Sequence, residues 1–195
     1  MRYATALRHL EERSFATYRA RIQASKRLRA CGYWWDAAQI SLTSALLSVS
    51  IAFLGSPEKM LPGSGIALAV LSVLALVVSI TTANLEYSSR SKDMFRSYRE
   101  FQAYSAKIER LRDTRVWVSS IRVRGLSIEH QHLLDVSENH TTHDFLVSQA
   151  GGKPMSLPLG LVIKGLRPYL LPSALVLASM VMVWVIVGQI AIPLV

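Results

Sequence analysis

Three apolar stretches of bilayer-spanning length constrain this chain more than any other feature. They run from about Ala37 to Leu54, from about Ser64 to Ala83 ("SGIALAVLSVLALVVSITTA") and from about Tyr169 to Ile192, the last without a charged residue. Each approaches the roughly 20 residues that a helix needs to cross a hydrocarbon core of about 30 Å. A segment in lipid has to satisfy its own backbone, so each is expected to be a helix. Buried helices of a water-soluble protein would each show a polar face, and none of these shows a strong one. The expected fold class is an all-α integral membrane protein: a transmembrane helical hairpin with long cytoplasmic helical extensions and a third, C-terminal transmembrane helix.

The charge pattern sets the orientation. Of 195 residues 51% are hydrophobic and 18% charged, with a formal net charge of +9. A soluble nucleic-acid binder normally carries its basic residues on a less apolar chain, so the pairing points to a membrane protein with basic flanks. Before the first stretch lie Arg2, Arg8, Arg13, Arg19, Arg21, Lys26, Arg27 and Arg29, and a second basic run extends from Arg90 to Arg124 after the second stretch. The connection between them, "GSPEKMLPGSG", holds only Lys59. Basic loops stay cytoplasmic, which puts the N-terminus inside and makes the first two stretches a tight hairpin. Lys164 and Arg167 start the third stretch inside as well, and the C-terminus is expected on the far side. Tyr33, Trp34 and Trp35 fit an interfacial aromatic belt. The expected organisation is a basic cytoplasmic amphipathic helix over 1–35, a two-helix transmembrane hairpin over 36–83, a cytoplasmic helical region over 84–167 and a C-terminal transmembrane helix over 168–195. The first 35 residues carry too many charges for a cleaved signal peptide. With Cys31 as its single cysteine, the chain has no intramolecular disulfide framework and is expected to face a reducing compartment.

Beyond the second stretch, Tyr87, Met94, Phe101 and Ile108 recur at seven-residue intervals, with Tyr104 and Leu111 at partner positions. This stripe suits a helix continuing straight out of the membrane, and it serves either an oligomeric seam or packing within one chain. Tyr3, Leu7, Leu10, Tyr18 and Ile22 mark one face of the N-terminal arm, so the two segments are expected to pack on each other.

Between residues 126 and 154 four histidines, His130, His132, His140 and His143, mix with Glu129, Asp135, Glu138 and Asp144. Zinc sites use such residues, but the spacing matches no zinc signature, and two short helices here would point the groups apart. No metal, no cofactor and no catalytic residue is expected: nucleophile elbow, phosphate loop and paired catalytic carboxylates are all missing from the sequence. Direct nucleic-acid contact is not expected either, because acids alternate with bases in the second basic helix and attraction to anionic lipid already accounts for basic charge beside a membrane.

The basic helix ending "SKRLRACGYWW", the short-looped hairpin, the aromatic-rich helix "EYSSRSKDMFRSYREFQAYSAKIERL" and the segment "HLLDVSENHTTHDF" (Leu133, Leu134, Asn139, His140, Asp144, Phe145) together resemble the SLATT domain family. The resemblance covers about residues 3–145. It implies a two-transmembrane effector module of prokaryotic conflict systems, seated in the inner membrane, that oligomerises and forms a pore when a partner detects infection. The implied partners are membrane lipid, further copies of the chain and a sensor encoded nearby: a nucleotide synthase, a SLOG protein or a reverse transcriptase. The third span departs from the two-span description.

With that implication, the polar residues inside the first span acquire roles. At about 100° per residue Gln39, Thr43 and Ser50 share one face, and Ser41, Ser44 and Ser48 share the opposite one. Ser72 and Ser79 share a face of the second span. Ser41, Ser44, Ser48, Ser72 and Ser79 are the helix-packing candidates, since small hydroxyl residues allow close helix approach. Gln39, Thr43 and Ser50 are the pore-lining candidates, since an amide facing lipid would be costly. The competing readings are a nonconducting membrane scaffold that recruits a cytosolic partner and, behind it, a membrane-bound metalloenzyme.

Overall fold

The structure, a computed structural model, describes residues 2–55, 63–113, 119–136, 138–153 and 158–191. The described residues form helices and short connections: α1 (Arg2–Gly55), α2 (Ser64–Leu85), α3 (Tyr87–Asp113), α4 (Ser120–Asp135), α5 (Thr142–Gln149) and α6 (Leu159–Ala191). The chain is therefore an all-α membrane protein: α1, α2 and α6 each contain a window long and apolar enough to cross a membrane. The connection holding Lys59 and Ser56 lies outside the described residues.

Helix α1 runs 54 residues without a proline, and glycine enters it only at Gly32 and at its last residue. The basic arm and the first apolar stretch thus belong to one unbroken run of helical residues. Helix α2 starts after Gly63, whose φ of 89° is open to glycine at little cost. It does not continue straight into α3. Glu86 sits between them in the left-handed region, at φ 45° and ψ 33°, the one non-glycine residue with positive φ among those described. A single left-handed residue interrupts the i→i−4 ladder, and for glutamate it costs on the order of 1 kcal/mol.

Short polar signals start the next two helices. Ser119 caps α4, its side-chain oxygen accepting from the Arg122 amide at 3.3 Å. Thr141 and Asp144 form a reciprocal capping box that starts α5. Pro168 and Pro172 both lie inside α6. Neither donates a backbone N–H, so the carbonyls of Lys164 and Pro168 lose their intrahelical partners.

The chain divides into two compact units. The first comprises Met1–Arg29 and Ser88–Gly165, the second Ala30–Tyr87 and Leu166–Val195. Every lysine and arginine of the chain except Lys59 and Arg167 belongs to the first unit. Its core joins Leu7 and Leu10 of α1 to Tyr104 and Ile108 of α3 and Leu126 of α4, flanked by Leu111, Val123 and Leu133. The core of the second unit joins Trp35 and Leu42 to Leu71, Ala75 and Val78, with Leu175 and Met182 of α6 packed against it. A fully buried aliphatic side chain contributes about 2 kcal/mol, so a handful of such contacts holds each set of helices together.

Candidate functional site

The buried face of α1 in the second unit is set by Trp35, Ala38, Leu42, Ala45 and Val49. Gln39 lies on one flank of that face, where its Nε2 donates to Ser79 Oγ of α2 at 3.3 Å. Ser41 lies on the other flank and is hydrogen-bonded to Ser179 of α6, itself 2% exposed. The two polar stripes of the first span therefore border two different helices. Gln39, placed by the sequence among pore-lining residues, meets Ser79, placed among packing residues. Sequence periodicity separates faces of one helix but does not say which neighbour each face receives.

The remaining candidates point away from the unit's interior. Thr43, Ser44, Ser48 and Ser72 are exposed, and Ser50 is half-buried. Their hydroxyls are largely served by their own helices: Thr43 donates to the Gln39 carbonyl at 2.9 Å, Ser48 to Ser44 at 2.9 Å, Ser50 to Leu46 at 2.8 Å and Ser72 to Leu68 at 2.9 Å. Back-bonding of this kind lets a hydroxyl face lipid without a water partner. Around them the outward surface is apolar, with Ile40, Leu47, Ile51, Leu76 and Val77 all more than half exposed, as a lipid-facing surface requires.

In the first unit three residues of the seven-residue stripe are buried. Met94, Phe101 and Ile108 are 2%, 0% and 0% exposed, covered by helices of the same chain. Tyr87 belongs to the second unit and packs against its Trp35 cluster instead. Of the N-terminal face, Leu7 and Leu10 are buried and Tyr18 and Ile22 half-buried, while the side chain of Tyr3 lies outside those described.

The histidines do not converge. Among the described residues no group of three or more His, Cys, Asp or Glu side chains is placed to hold a metal. His130 is buried between Phe101 and Tyr104, ring centroids 5.5 and 5.7 Å away, with Nδ1 3.3 Å from Ser14 Oγ. Ser14 commits its one proton to the Leu10 carbonyl at 2.6 Å, so His130 Nδ1–H is the donor in that pair. Burial first, then the charges of Arg13 and Arg21, hold His130 below the ordinary histidine range. His132 is exposed. His143 packs so closely on Gly165 that a Cβ there would collide with the imidazole, which is what that glycine is for.

Sequence reading placed Arg21 and Arg27 among solvated membrane-flanking charges, and the structure buries the first and largely buries the second. Arg21 is 0% exposed, its guanidinium 4.4 Å above the Phe101 ring. Arg27 makes an edge-on pair with Asp144, whose side chain is 2% exposed. Burial works to raise the Asp144 carboxyl, but hydrogen bonds from Arg27 and Thr141 prevail and hold it below its ordinary range. An arginine in a basic run carries no local mark of burial, so only the spacing of the buried face, with Ser14, Arg21 and Leu28 seven apart, could have flagged it.

Three apolar helices and a basic helical unit define the class, an α-helical membrane protein. Over residues 3–192 the chain matches the SMODS and SLOG-associating 2TM effector domain family 5, and it belongs to that family. It is thus a member of a family of two-transmembrane effector domains associated with conflict systems. The match extends through the third apolar helix, α6. Comparison with curated proteins and with solved structures finds no match.

Proposed function

We infer that this protein is the membrane effector of an antiphage system, which oligomerises in the inner membrane and permeabilises it when a partner sensor is triggered. The observation that carries the reading is the outward face of the α1 span. Thr43, Ser44 and Ser48 are exposed on a helix whose other faces are engaged by α2 and α6 of the same chain. Back-bonded hydroxyls there are compatible with lipid, and their small side chains also let a neighbouring protomer approach closely, while the basic first unit is available to a cytosolic sensor, a nucleotide synthase, a SLOG protein or a reverse transcriptase.

A nonconducting scaffold is the second reading. It is favoured by the engagement of Gln39 with Ser79 and of Ser41 with Ser179 inside one chain, which gives two of the polar residues a packing role. Leakage of a small ion and a dye from liposomes containing the purified protein and its activated partner separates the two. Conductance that disappears when the exposed Thr43, Ser44 and Ser48 are all changed to leucine, with assembly intact, supports the pore. An activated assembly that never conducts supports the scaffold.

A further inference from the structure

One buried charge in the first unit makes no direct ion pair among the described residues. Arg21 lies where α1, α3 and α4 meet: Nη1 donates to Ser97 Oγ and is 3.4 Å from the Leu133 carbonyl, while Nε and Nη2 have no partner. Among the described residues no carboxylate lies within 4.0 Å of it. The nearby acids are engaged elsewhere: Asp144 with Arg27 and Thr141, Glu138 with Arg90, Glu129 with Lys107, and Glu100 with Arg96 at the surface. Burial lowers the guanidinium to about 10, opposed by the more distant charge of Glu100, and this leaves it charged at neutral pH. The Phe101 face offsets part, but not all, of the desolvation cost of a buried unpaired ion.

The two idle nitrogens are not an arbitrary pair. Nε and Nη2 form the side-on edge of a guanidinium, the edge that grips two oxygens in parallel. Arg27, six residues on, uses that edge on Asp144 at 2.8 and 3.1 Å. His140 of the same unit also has a buried Nδ1 without a partner, and burial first, then the Arg21 charge, holds it below the ordinary histidine range.

We propose that the Nε–Nη2 edge of Arg21 is a binding site for a small inorganic oxyanion that presents two oxygens side by side, as phosphate does. Because Arg21 is fully buried, the ion is taken up as the helices close. A bound oxyanion supplies the missing counter-charge and ties α1 to the residues around it, so the stability of the first unit depends on the anion.

The test uses the full chain in detergent, with thermal unfolding followed in gluconate, chloride and phosphate at one ionic strength and pH. A saturable rise in midpoint of about 5 °C with phosphate over gluconate is expected for the parent, and no rise for Arg21→Met. Arg21→Met in gluconate should be at least as stable as the parent, because it removes an unpaired buried cation. Equal phosphate effects on both proteins would assign the anion to the exposed basic surface and overturn the site, and a rise with chloride alone would overturn the oxyanion. If Arg21→Met does not fold, crystals of the parent refolded and grown in selenate decide: anomalous density within hydrogen-bond distance of Arg21 Nε and Nη2 supports the site, and density elsewhere or none removes it.

Discussion

Arg27 grips Asp144 edge-on, Nε to Oδ1 at 2.8 Å and Nη2 to Oδ2 at 3.1 Å, across 117 residues of sequence. The same carboxylate closes the capping box that starts α5, accepting from the Thr141 amide at 3.1 Å and the Thr141 hydroxyl at 2.7 Å. One acid thus fixes a helix start and fastens it to α1. Asp144→Asn keeps the shape and strands the Arg27 charge, so it should destabilise the first unit by about 3 kcal/mol, the usual cost of breaking a buried pair from one side. The Asp144 carboxyl is held below its ordinary range in the folded protein. Its contribution is therefore full above the unfolded value of about 3.9 and lost as pH falls through the lower folded value. Unfolding midpoints measured from pH 7 downward should drop steeply in that acid window for the parent and less steeply for Asp144→Asn.

His130 titrates in a different window. Its folded value is depressed, so its contribution is present above the unfolded value of about 6.5 and is lost as pH falls through the folded value. His130→Phe keeps an aromatic ring between Phe101 and Tyr104 and removes the titration. Between pH 7 and pH 5 the variant should lose less stability than the parent, as read by far-ultraviolet circular dichroism on heating. A parent whose midpoint is flat over that range would show that His130 is neutral in both states or charged in both.

Phe101 illustrates how much of the fold was legible. Spacing alone marked Met94, Phe101 and Ile108 as one apolar face, and unbroken apolar length marked three spans whose cores fall inside α1, α2 and α6. Local periodicity carries that information because it reflects which side of a helix avoids water. It carries nothing about which surface covers the face, nor about Glu86, whose left-handed backbone interrupts a pattern that reads as continuous. The Arg27–Asp144 and Gln39–Ser79 contacts are equally invisible, since each side chain suits a solvated or lipid-edge position and only the tertiary fold brings the partners together.

Burial of Phe101 by its own chain makes a prediction about stability. Phe101→Ala should cost about 3–5 kcal/mol and open the first unit to limited proteolysis. Phe15, 45% exposed in an edge contact with Tyr18 at 4.9 Å, should tolerate alanine within about 1 kcal/mol. If Phe101→Ala resists protease like the parent but loses crosslinked oligomers, the stripe works between protomers.

Orientation can be read with thiols, but Cys31 is 0% exposed, so its failure to react would say nothing about sidedness. The informative protein carries Cys31→Ala with one new cysteine, at exposed Ser120 of α4 or at Ser56 in the connection between the first two spans. With the basic regions cytoplasmic, a membrane-impermeant maleimide should label Ser56→Cys in intact cells and Ser120→Cys only after lysis. The reverse pattern would invert the proposed topology.

The contact between Ser41 and Ser179 bears on the third apolar helix of a family named for two. Ser179 is 2% exposed and Pro172 is fully buried, while Leu175 and Met182 pack against the Trp35 cluster, so α6 is bound into the helix packing of the second unit. Close approach at paired serines is what lets two membrane helices interlock, and bulk there costs about 1–3 kcal/mol of overpacking. Ser179→Leu should therefore loosen α6 from α1, whereas Leu177→Ala, at a 63% exposed position, should leave it in place. With Cys31→Ala as background, Ser41→Cys combined with Ser179→Cys should form an intramolecular disulfide in membranes under mild oxidation, and Ser44→Cys with Ser179→Cys should not. Locking α6 in this way also separates two roles. Liposome leakage that survives the crosslink assigns α6 a static part in the assembly, and leakage abolished by the crosslink and restored by reductant requires α6 to move away from α1 when the effector fires.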